Sequence, residues 1–193
     1  MAIYKVMDSN ELNEVFKFRY DVYAEAMGKR YDYYDLGKKQ IYEDLDNNAR
    51  IYVMRDPSRN LIGTARVNYN SEYLLDKELV GLGIDKTIFE SKSYCMVSKL
   101  IISPNYWKSG KSVIFVKQIY KEILEDNIDF VIIYCFDKTL SFFEKFGFIK
   151  IHVKDQYRFY KKINVLILDV KNKKWLKKIK SPLYKIHELI NAY

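Results

Sequence analysis

The stretch that decides the fold begins with Tyr94-Cys-Met-Val-Ser-Lys-Leu-Ile-Ile-Ser103 and continues with Pro104-Asn-Tyr-Trp-Lys-Ser-Gly-Lys111. The first part is an apolar strand and the second is a basic turn. Residues 112–126 then have the apolar spacing of a helix, residues 129–136 are a second apolar strand, and a short helix ends at Phe146-Gly-Phe148. This order predicts a βαβα unit with parallel central strands. It brings a helix N-terminus next to a strand end, which suits a phosphate-bearing ligand.

Length and charge limit the class of protein. The chain has 193 residues, 49% of them hydrophobic, so we expect one globular domain over residues 1–193 with a basic helical extension at 171–193. A net charge of +8 fits contact with nucleic acid, an anionic membrane, or an acidic protein or cofactor. No helix-turn-helix, zinc-knuckle or RNA-binding aromatic motif is recognisable, which argues against nucleic acid.

Cysteine usage and the N-terminus indicate a compartment. Cys95 and Cys135 lie inside apolar strands, as buried free thiols of a reducing compartment do. The two histidines do not combine with them at a familiar ligand spacing, so no metal site is expected. Lys5 and Asp8 interrupt any signal-like apolar run, and no stretch reaches the roughly 18 apolar residues of a membrane span. We therefore expect a soluble, cytoplasmic protein.

The N-terminal half predicts a strand, a helix and a hairpin. Asp8 caps a helix that continues through Tyr23, and Arg19 falls on its apolar face, where an unpaired charge would be costly. Residues 28–48 have no clean period and are rich in Tyr, Lys and Asp, which fits either a binding lid or a solvated connector. Residues 50–55 and 61–69 form the hairpin, in which Gly63 indicates close approach of another backbone.

The C-terminal part predicts two further strands and a basic tail. Residues 150–154 alternate as a strand, residues 157–160 continue it or form a bulge, and residues 163–170 form the last strand. The tail after residue 170 has six lysines within residues 171–180 and an apolar face. It could dock on its own domain, lie on an anionic surface or meet a partner, and docking is favoured because C-terminal helices commonly pack back.

The element order and two motifs resemble the Gcn5-related N-acyltransferase superfamily. Ile101-Ile-Ser-Pro-Asn-Tyr-Trp-Lys-Ser-Gly-Lys-Ser112 resembles the acyl-CoA motif, in which a strand runs into Pro-x-Tyr-Arg-x-x-Gly-x-Gly/Ala. Ser141-Phe-Phe-Glu-Lys-Phe-Gly-Phe148 resembles Phe-Tyr-Glu-Lys-Leu-Gly-Phe. The resemblance implies an α/β (α+β) fold, namely a mixed, mostly antiparallel twisted sheet with a splayed parallel central strand pair flanked by helices.

The N-terminal half is similar to the N-acyl amino acid synthases and acyl-homoserine-lactone synthases within that superfamily. Those enzymes show Arg-Tyr-x-Val-Tyr/Phe, an acidic Asp-x-Asp-like segment, Gly-Ser-x-Arg and Glu-x-Ser-Arg-Leu. The matching segments here are Arg19-Tyr-Asp-Val-Tyr23, Asp44-Leu-Asp46, Gly63-Thr-Ala-Arg66 and Met96-Val-Ser-Lys-Leu100. The resemblance implies substrate-binding roles for Arg19, Tyr23, Arg66, Met96 and Lys99.

The resemblance also implies a donor site for an acyl thioester and no tightly bound cofactor. In this fold a strand backbone pairs with a pantetheine arm, and the loop before the next helix binds phosphate. The implied donor-binding residues are Leu100, Ile101, Ile102, Trp107, Lys108, Ser109, Gly110, Lys111, Ser112 and Phe143. The donor is an acyl carrier protein, through its phosphopantetheine, or acyl-CoA.

Departures from the motif bear on the donor and on catalysis. Trp107 replaces the usual Arg or Gln, and Lys108 and Ser112 stand where glycines are common, which weakens the case for pyrophosphate binding. A carrier protein has one phosphate and an acidic surface, so a basic chain favours it over CoA. Phe143 replaces the Tyr that protonates the leaving thiol in many relatives, so that role is vacant or passes to Tyr134 or to water.

No general base is obvious, because Met96 and Lys99 replace the Glu and Arg of the related synthases. Asp44, Asp46 and Glu90, acting through a water, are the candidates. Arg19, Asp44, Asp46 and Arg66 are expected to form a polar cluster. That cluster either orders an amine-binding lid or is a structural ion-pair network.

We expect transfer of a long-chain fatty acyl group from a thioester to a primary amine of an amino acid or peptide. The expected partners are an acyl carrier protein and the small amine or peptide, with peripheral membrane contact possible through the basic tail. The alternatives are an acyl-homoserine-lactone-type synthase, which Met96 disfavours, and a non-catalytic homologue that binds a carrier protein or a membrane.

Overall fold

A computed structural model describes residues 1–70, 73–153 and 163–190, apart from the side chains of residues 73 and 74. The strands in these ranges are β1 Ala2–Lys5, β2 Arg50–Arg55, β3 Leu61–Tyr69, β4 Tyr94–Ile102, β5 Phe130–Cys135, β6 Ile149–Lys150 and β7 Asn164–Asp169. The α-helices are α1 Ser9–Tyr20, α2 Tyr73–Gly81, α3 Lys111–Glu125, α4 Asp137–Phe146, α5 Lys173–Lys178 and α6 Tyr184–Ile190. None of the helices in the described part of the chain is long and apolar enough to cross a membrane.

The strands form one sheet in the order β1-β2-β3-β4-β5-β7-β6. β4 and β5 run parallel, with the register Tyr94↔Phe130 to Met96↔Ile132. The β1–β2, β2–β3, β5–β7 and β6–β7 pairs are antiparallel. The predicted mixed, mostly antiparallel sheet with one parallel pair and flanking helices is confirmed, and Cys95 and Cys135 are buried free thiols as expected.

The chain divides into two compact units. The first comprises residues 1–68 and 98–118, and the second comprises residues 69–97 and 119–193, as far as these are described. β4 and α3 contribute residues to both units. The expectation of a single domain with a C-terminal extension stays a prediction.

In the first unit, α1 begins where the sequence predicted. The Asp8 side chain accepts the backbone N–H groups of Asn10 and Glu11 at 2.8 and 2.9 Å, which satisfies two donors that a helix start leaves open. The helix predicted to run through Tyr23 continues beyond α1 in a wider π-helical form, Asp21–Ala26.

The hairpin of the first unit brings β3 against the end of β4. A Cβ added at Gly63 would lie 2.6 Å from Cδ1 of Ile102 and 3.2 Å from the carbonyl oxygen of Ile101. The backbone approach predicted from this glycine is confirmed, because a larger residue would push the two strands apart.

In the second unit, the tail docks on the end of α4. Gly147 ends that helix with φ 108, and its carbonyl accepts the indole N–H of Trp175 at 2.9 Å. Ser181 Oγ donates to the carbonyl of Phe146 at 2.7 Å, and Leu176 is fully buried. Of the three possibilities for the tail, docking within its own unit is the one observed.

The strand predicted over residues 150–154 is wrong in its bounds. β6 comprises Ile149–Lys150, and one more backbone hydrogen bond joins Ile151 N to Val165 O at 3.0 Å. Because β7 begins at Asn164, the partner residues for a longer β6 soon run out. Residue 154 and the predicted bulge at 157–160 lie outside the described residues.

Candidate active site

Arg19 lies on the inner face of α1, and its side chain is fully buried. Its Nη1 donates to both carboxylate oxygens of Asp46, at 2.8 and 2.9 Å. Asp46 Oδ2 also accepts the backbone N–H of Glu43 at 2.9 Å. The partner that a buried Arg19 requires is thus a carboxylate 27 residues along the chain, and this carboxylate also closes the turn that carries it.

Arg66 adds a second buried cation from β3. Its Nη1 lies 2.8 Å from Oε2 of Glu43 and 3.4 Å from Oδ1 of Asp46. Its Nε donates to Ser98 Oγ in β4 at 2.9 Å. Arg66 therefore joins the acidic turn to the two strands beneath it.

Lys99 provides a third cation from β4. Its Nζ lies 2.5 Å from Oε1 of Glu43 and 3.4 Å from the hydroxyl oxygen of Tyr33. The same Nζ is 5.2 Å from the ring centroid of Tyr33 and 5.8 Å from that of Tyr23. Lys99 has φ 50, a left-handed backbone inside a strand, which marks a local irregularity of β4.

The set of residues chosen from the sequence does not contain Glu43, which bridges Lys99 and Arg66. Asp44–Asp46 is a 3₁₀ helix, in which side chains three residues apart share a face. Glu43 and Asp46 consequently point the same way, whereas the side chain of Asp44 is exposed to solvent. The sequence Glu-Asp-Leu-Asp could have indicated Glu43, because Glu43 and Asp46 are the one pair of carboxylates in it with the i, i+3 spacing of a 3₁₀ turn.

We call Arg19, Glu43, Asp46, Arg66 and Lys99 the ion cluster. Its three cations face two carboxylates, which leaves one positive charge in excess. Burial by itself would raise the pKa of Glu43, but the charges and hydrogen bonds of Lys99 and Arg66 outweigh it and lower that pKa to about 2. Burial lowers the pKa of Lys99, against the opposing effect of Glu43.

Arg19 keeps donor capacity that the ion pair does not use. Among the described residues, its buried Nε and Nη2 have no hydrogen-bond partner. A buried guanidinium with unsatisfied N–H groups is costly, and the face of this one lies 5.5 Å from the ring centroid of Phe16.

Tyrosines from residues 20–34 pack beside the ion cluster. Tyr31 and Tyr33 stack with ring centroids 5.5 Å apart, and Tyr34 meets Tyr33 edge-on at 5.1 Å. Tyr34 is buried together with Ile41, so these two residues anchor the segment 28–48 in the first unit, while residues 35–39 between them are exposed to solvent. Burial raises the pKa of Tyr23 to about 12, which keeps its phenol neutral at physiological pH.

The predicted donor segment follows Lys99 along β4. Leu100 is partly exposed, and Ile101 and Ile102 are buried. Trp107, with 53% of its surface exposed, donates its indole N–H to the carbonyl of Ile102 at 2.9 Å. Lys99 of the ion cluster and Ile102 are thus about 10 Å apart along one strand, at roughly 3.3 Å per residue.

The loop after β4 turns sharply into α3. Lys108 and Gly110 both have a left-handed backbone, with φ 63 and 76. Ser109 Oγ accepts the N–H of Lys111 at 3.4 Å. Ser112 lies in the first turn of α3, where backbone N–H groups point along the helix axis towards the loop. The exposed Lys108, the partly exposed Lys111 and the helix N–H groups therefore belong to one short segment at this end of β4.

The remaining candidates chosen from the sequence belong to the second unit. Met96 is fully buried in β4, and Glu90 is exposed after a 3₁₀ turn. Tyr134 lies in β5 opposite Val165. Phe143 in α4 packs edge-on against neighbouring phenylalanine rings, as a core residue would. In the described part of the chain, no three His, Cys, Asp or Glu side chains form a group that could hold a metal ion.

Comparisons with known proteins find solved structures of similar fold. No family model and no curated protein matches the sequence. FeeM, an N-acyl amino acid synthase from uncultured soil microbes, matches over 95% of this chain and 96% of its own, with a TM-score of 0.69 and 16% identity. MesI, a CoA-dependent acyl-homoserine lactone synthase, matches over 94% and 95%, with a TM-score of 0.69 and 14% identity.

A GNAT-family acetyltransferase from Staphylococcus aureus Mu50 matches over 88% of this chain and all of its own, with a TM-score of 0.58 and 15% identity. At these identities the likeness shows the fold. The resemblance that the motifs suggested is confirmed at that level, since the three structures are an N-acyl amino acid synthase, an acyl-homoserine lactone synthase and a GNAT-family acetyltransferase.

Proposed function

We propose that this chain, which has the fold of the Gcn5-related acyltransferases, transfers an acyl group from a phosphopantetheine thioester to a primary amine. One observation carries the proposal. Lys99, one of the three cations of the ion cluster, lies on the same strand that leads into the loop and helix N-terminus suited to phosphate. An anionic acceptor and a thioester donor could therefore be held side by side on one rigid element.

The acceptor we propose is an amine that also carries a carboxylate, such as a free amino acid. The excess charge of the ion cluster and the Nε and Nη2 groups of Arg19 favour an anion there. Because the surroundings are buried, the attraction is less screened than at the surface. Tyr23 and Tyr33, next to Lys99, would cover the bound amine.

The chemistry is attack of the neutral amine on the thioester carbonyl, with a thiol as leaving group and an amide as product. Glu43 is a poor proton acceptor because its pKa is about 2 and Lys99 and Arg66 occupy its oxygens. We therefore assign Glu43 and Asp46 to positioning. Asp44 and Glu90, acting through water, remain the proposed bases, and Tyr134 remains the proposed acid.

The finer identity of the donor is also part of the proposal. Few glycines in the donor loop, Lys108 and Lys111 beside it, and a net charge of +8 favour an acyl carrier protein over CoA. The departures at Trp107 and Phe143 from the acetyltransferase motif favour a long acyl chain. The buried thiols of Cys95 and Cys135 fit a cytoplasmic enzyme.

The test is acyl transfer by the purified protein. Palmitoyl carrier protein and palmitoyl-CoA are each offered with an equimolar mixture of amino acids, and N-acyl products are identified by mass spectrometry. We expect an N-acyl amino acid, formed much more slowly by Arg66→Ala and Asp46→Asn. Lys38→Ala, at an exposed site in the same unit, is the control and should match the wild type. Consumption of neither thioester would refute an enzymatic function.

A further inference from the structure

The end of β4 presents one carbonyl on the edge opposite β3. Ser103 donates its backbone N–H to the carbonyl of Ile62 in β3 at 2.8 Å, so the peptide groups of Ser103 face that neighbour. The carbonyl of Ile101 also faces β3, because it lies close to Gly63. Backbone groups alternate along a strand, so the carbonyl of Ile102 points to the other edge.

A side chain from the following loop covers this carbonyl. Trp107 Nε1 donates to Ile102 O at 2.9 Å, although 53% of the residue remains exposed. The preceding 3₁₀ turn, Pro104–Tyr106, folds the chain back so that the indole reaches the strand it has just left. The backbone group that a bound arm would need is thus occupied by the protein itself.

We propose that Trp107 is a displaceable cap on the donor strand, and that its indole N–H must release Ile102 O when a phosphopantetheine arm binds. This inference rests on the proposed function, because it concerns the thioester of that reaction. An amide N–H of the arm replaces the indole N–H at the same oxygen. The exchange is nearly balanced in hydrogen bonds, so the cap tunes donor affinity without preventing binding.

The exposure of Trp107 explains why the cap can move. A half-exposed indole loses little apolar burial when it swings into solvent. Trp175, the other tryptophan of the sequence, makes the same kind of bond to Gly147 O, but its neighbour Leu176 is fully buried and its helix is docked. The two indoles therefore have similar hydrogen bonds and different freedom to move.

The cap also protects an open strand edge. An uncovered backbone acceptor on such an edge invites pairing with other extended chains. A thioester that brings both an amide-bearing arm and a phosphate for Lys108 and Lys111 can displace the indole, whereas a plain peptide lacks the phosphate. Trp107 would then contribute to selection of the donor.

The test uses the fluorescence of Trp107 in the full-length protein. Trp175→Phe removes the second emitter, and its melting temperature confirms folding. The protein is titrated with CoA in one arm and with a phosphopantetheine-loaded carrier protein in the other. We expect the Trp107 emission to shift to the red as the indole enters water, at the concentration where calorimetry detects binding. Binding without a spectral change would overturn the proposal.

Substitutions separate the hydrogen bond from the ring. Trp107→Phe keeps an aromatic ring and deletes the N–H, so donor affinity should rise about two- to tenfold, the range expected for one neutral hydrogen bond. If Trp107→Phe binds the donor no more tightly than the wild type does, or if only Trp107→Ala binds it more tightly, the indole and the donor do not compete for the carbonyl of Ile102.

Acyl transfer measured in the same samples distinguishes this inference from the proposed function. If the donor binds and releases Trp107 but no acyl amide forms, the proposed function is refuted and the Trp107 cap is still supported. Acyl amide formed at the same donor KM by wild type and Trp107→Phe would refute the cap alone. Absence of binding in both arms would refute the donor site and the cap with it.

Discussion

The ion cluster and the docked C-terminal helices are both rich in basic residues, but the ion cluster buries its charged groups and the helices expose theirs. Arg19 and Arg66 are fully buried, whereas the lysines of the tail remain in water and its apolar residues are buried instead. The exposed lysines are Lys171, Lys173, Lys174, Lys177, Lys178, Lys180 and Lys185. The difference lies in the partners. The ion cluster draws carboxylates from a distant turn. The tail has no acidic residue of its own before Glu188, and Lys171, still half-exposed, pairs with Asp129 outside the tail at 2.7 Å.

This contrast shows that basic composition alone does not locate a site. A buried cation is stable only where a carboxylate and hydrogen bonds meet it, so burying three of them requires a dedicated arrangement. A solvated lysine makes no such demand and is available for contact with other molecules. The predictions below test the two regions by removing what each depends on.

The largest effect is expected from Asp46→Ala. This change leaves Arg19 buried without its carboxylate and opens the turn at Glu43, so we expect a loss of about 3–5 kcal/mol in the free energy of unfolding. Urea unfolding followed by circular dichroism measures it. Asp44→Ala, two residues away and exposed, should change stability by less than about 0.5 kcal/mol. Equal effects of the two substitutions would contradict the ion cluster as described.

A comparable loss in the second unit should come from an apolar residue. Leu176 is fully buried, and its Cδ2 would meet a Cβ at Gly147 at 2.7 Å. We expect Leu176→Ala to lower the unfolding free energy by about 2–5 kcal/mol, because it leaves a cavity under α5. Lys177→Ala on the exposed face should cost less than about 0.5 kcal/mol in the same urea titration. A stable Leu176→Ala protein would mean that the tail is not held by its apolar face.

The acidic side of the ion cluster should appear in the pH dependence of stability. The pKa of Glu43 falls from 4.5 to about 2 on folding. A lowered folded-state pKa contributes stability above the unfolded value, and this contribution is lost as the pH falls from about 4.5 towards 2. We expect Glu43→Gln to reduce stability at pH 7 by on the order of 2 kcal/mol and to flatten the acid limb of the curve.

The matched control is Asp44→Asn, since the side chain of Asp44 is exposed on the same turn and lies outside the ion cluster, and this variant should keep the wild-type stability curve. If the unfolding free energies of the wild type and of Glu43→Gln fell equally as the pH is lowered, the loss of stability in acid would not come from Glu43.

Much of this arrangement could be predicted from spacing and residue type. The position of Arg19 on an apolar helix face predicted that its charge has a partner, and Gly63 predicted the close approach of another backbone. Glu43 was missed because choosing between neighbouring carboxylates requires knowing that the turn is a 3₁₀ helix. The left-handed backbone of Lys99 and the hydrogen bond of Trp107 to Ile102 depend on strand and loop geometry that no local pattern specifies.

The smallest effect on stability, and the sharpest test of the tail as a contact surface, is expected from the double change Lys174→Glu and Lys177→Glu. Trp175, Leu176 and Ile179 form the inward face of this segment, so these two lysines point to solvent and stability should change by less than about 0.5 kcal/mol.

If the two lysines contact an acidic carrier protein, the double variant should have a kcat/KM for the acyl carrier protein that is about tenfold lower than that of the wild type at low salt. Its kcat/KM for acyl-CoA should stay unchanged. The same charge reversal at the exposed Lys38 and Lys138 is the control for net charge. If the double variant loses binding to anionic lipid vesicles but keeps its kinetics with the carrier protein, the lysines contact a membrane surface instead. Both partners are negatively charged, but only the carrier protein takes part in the reaction.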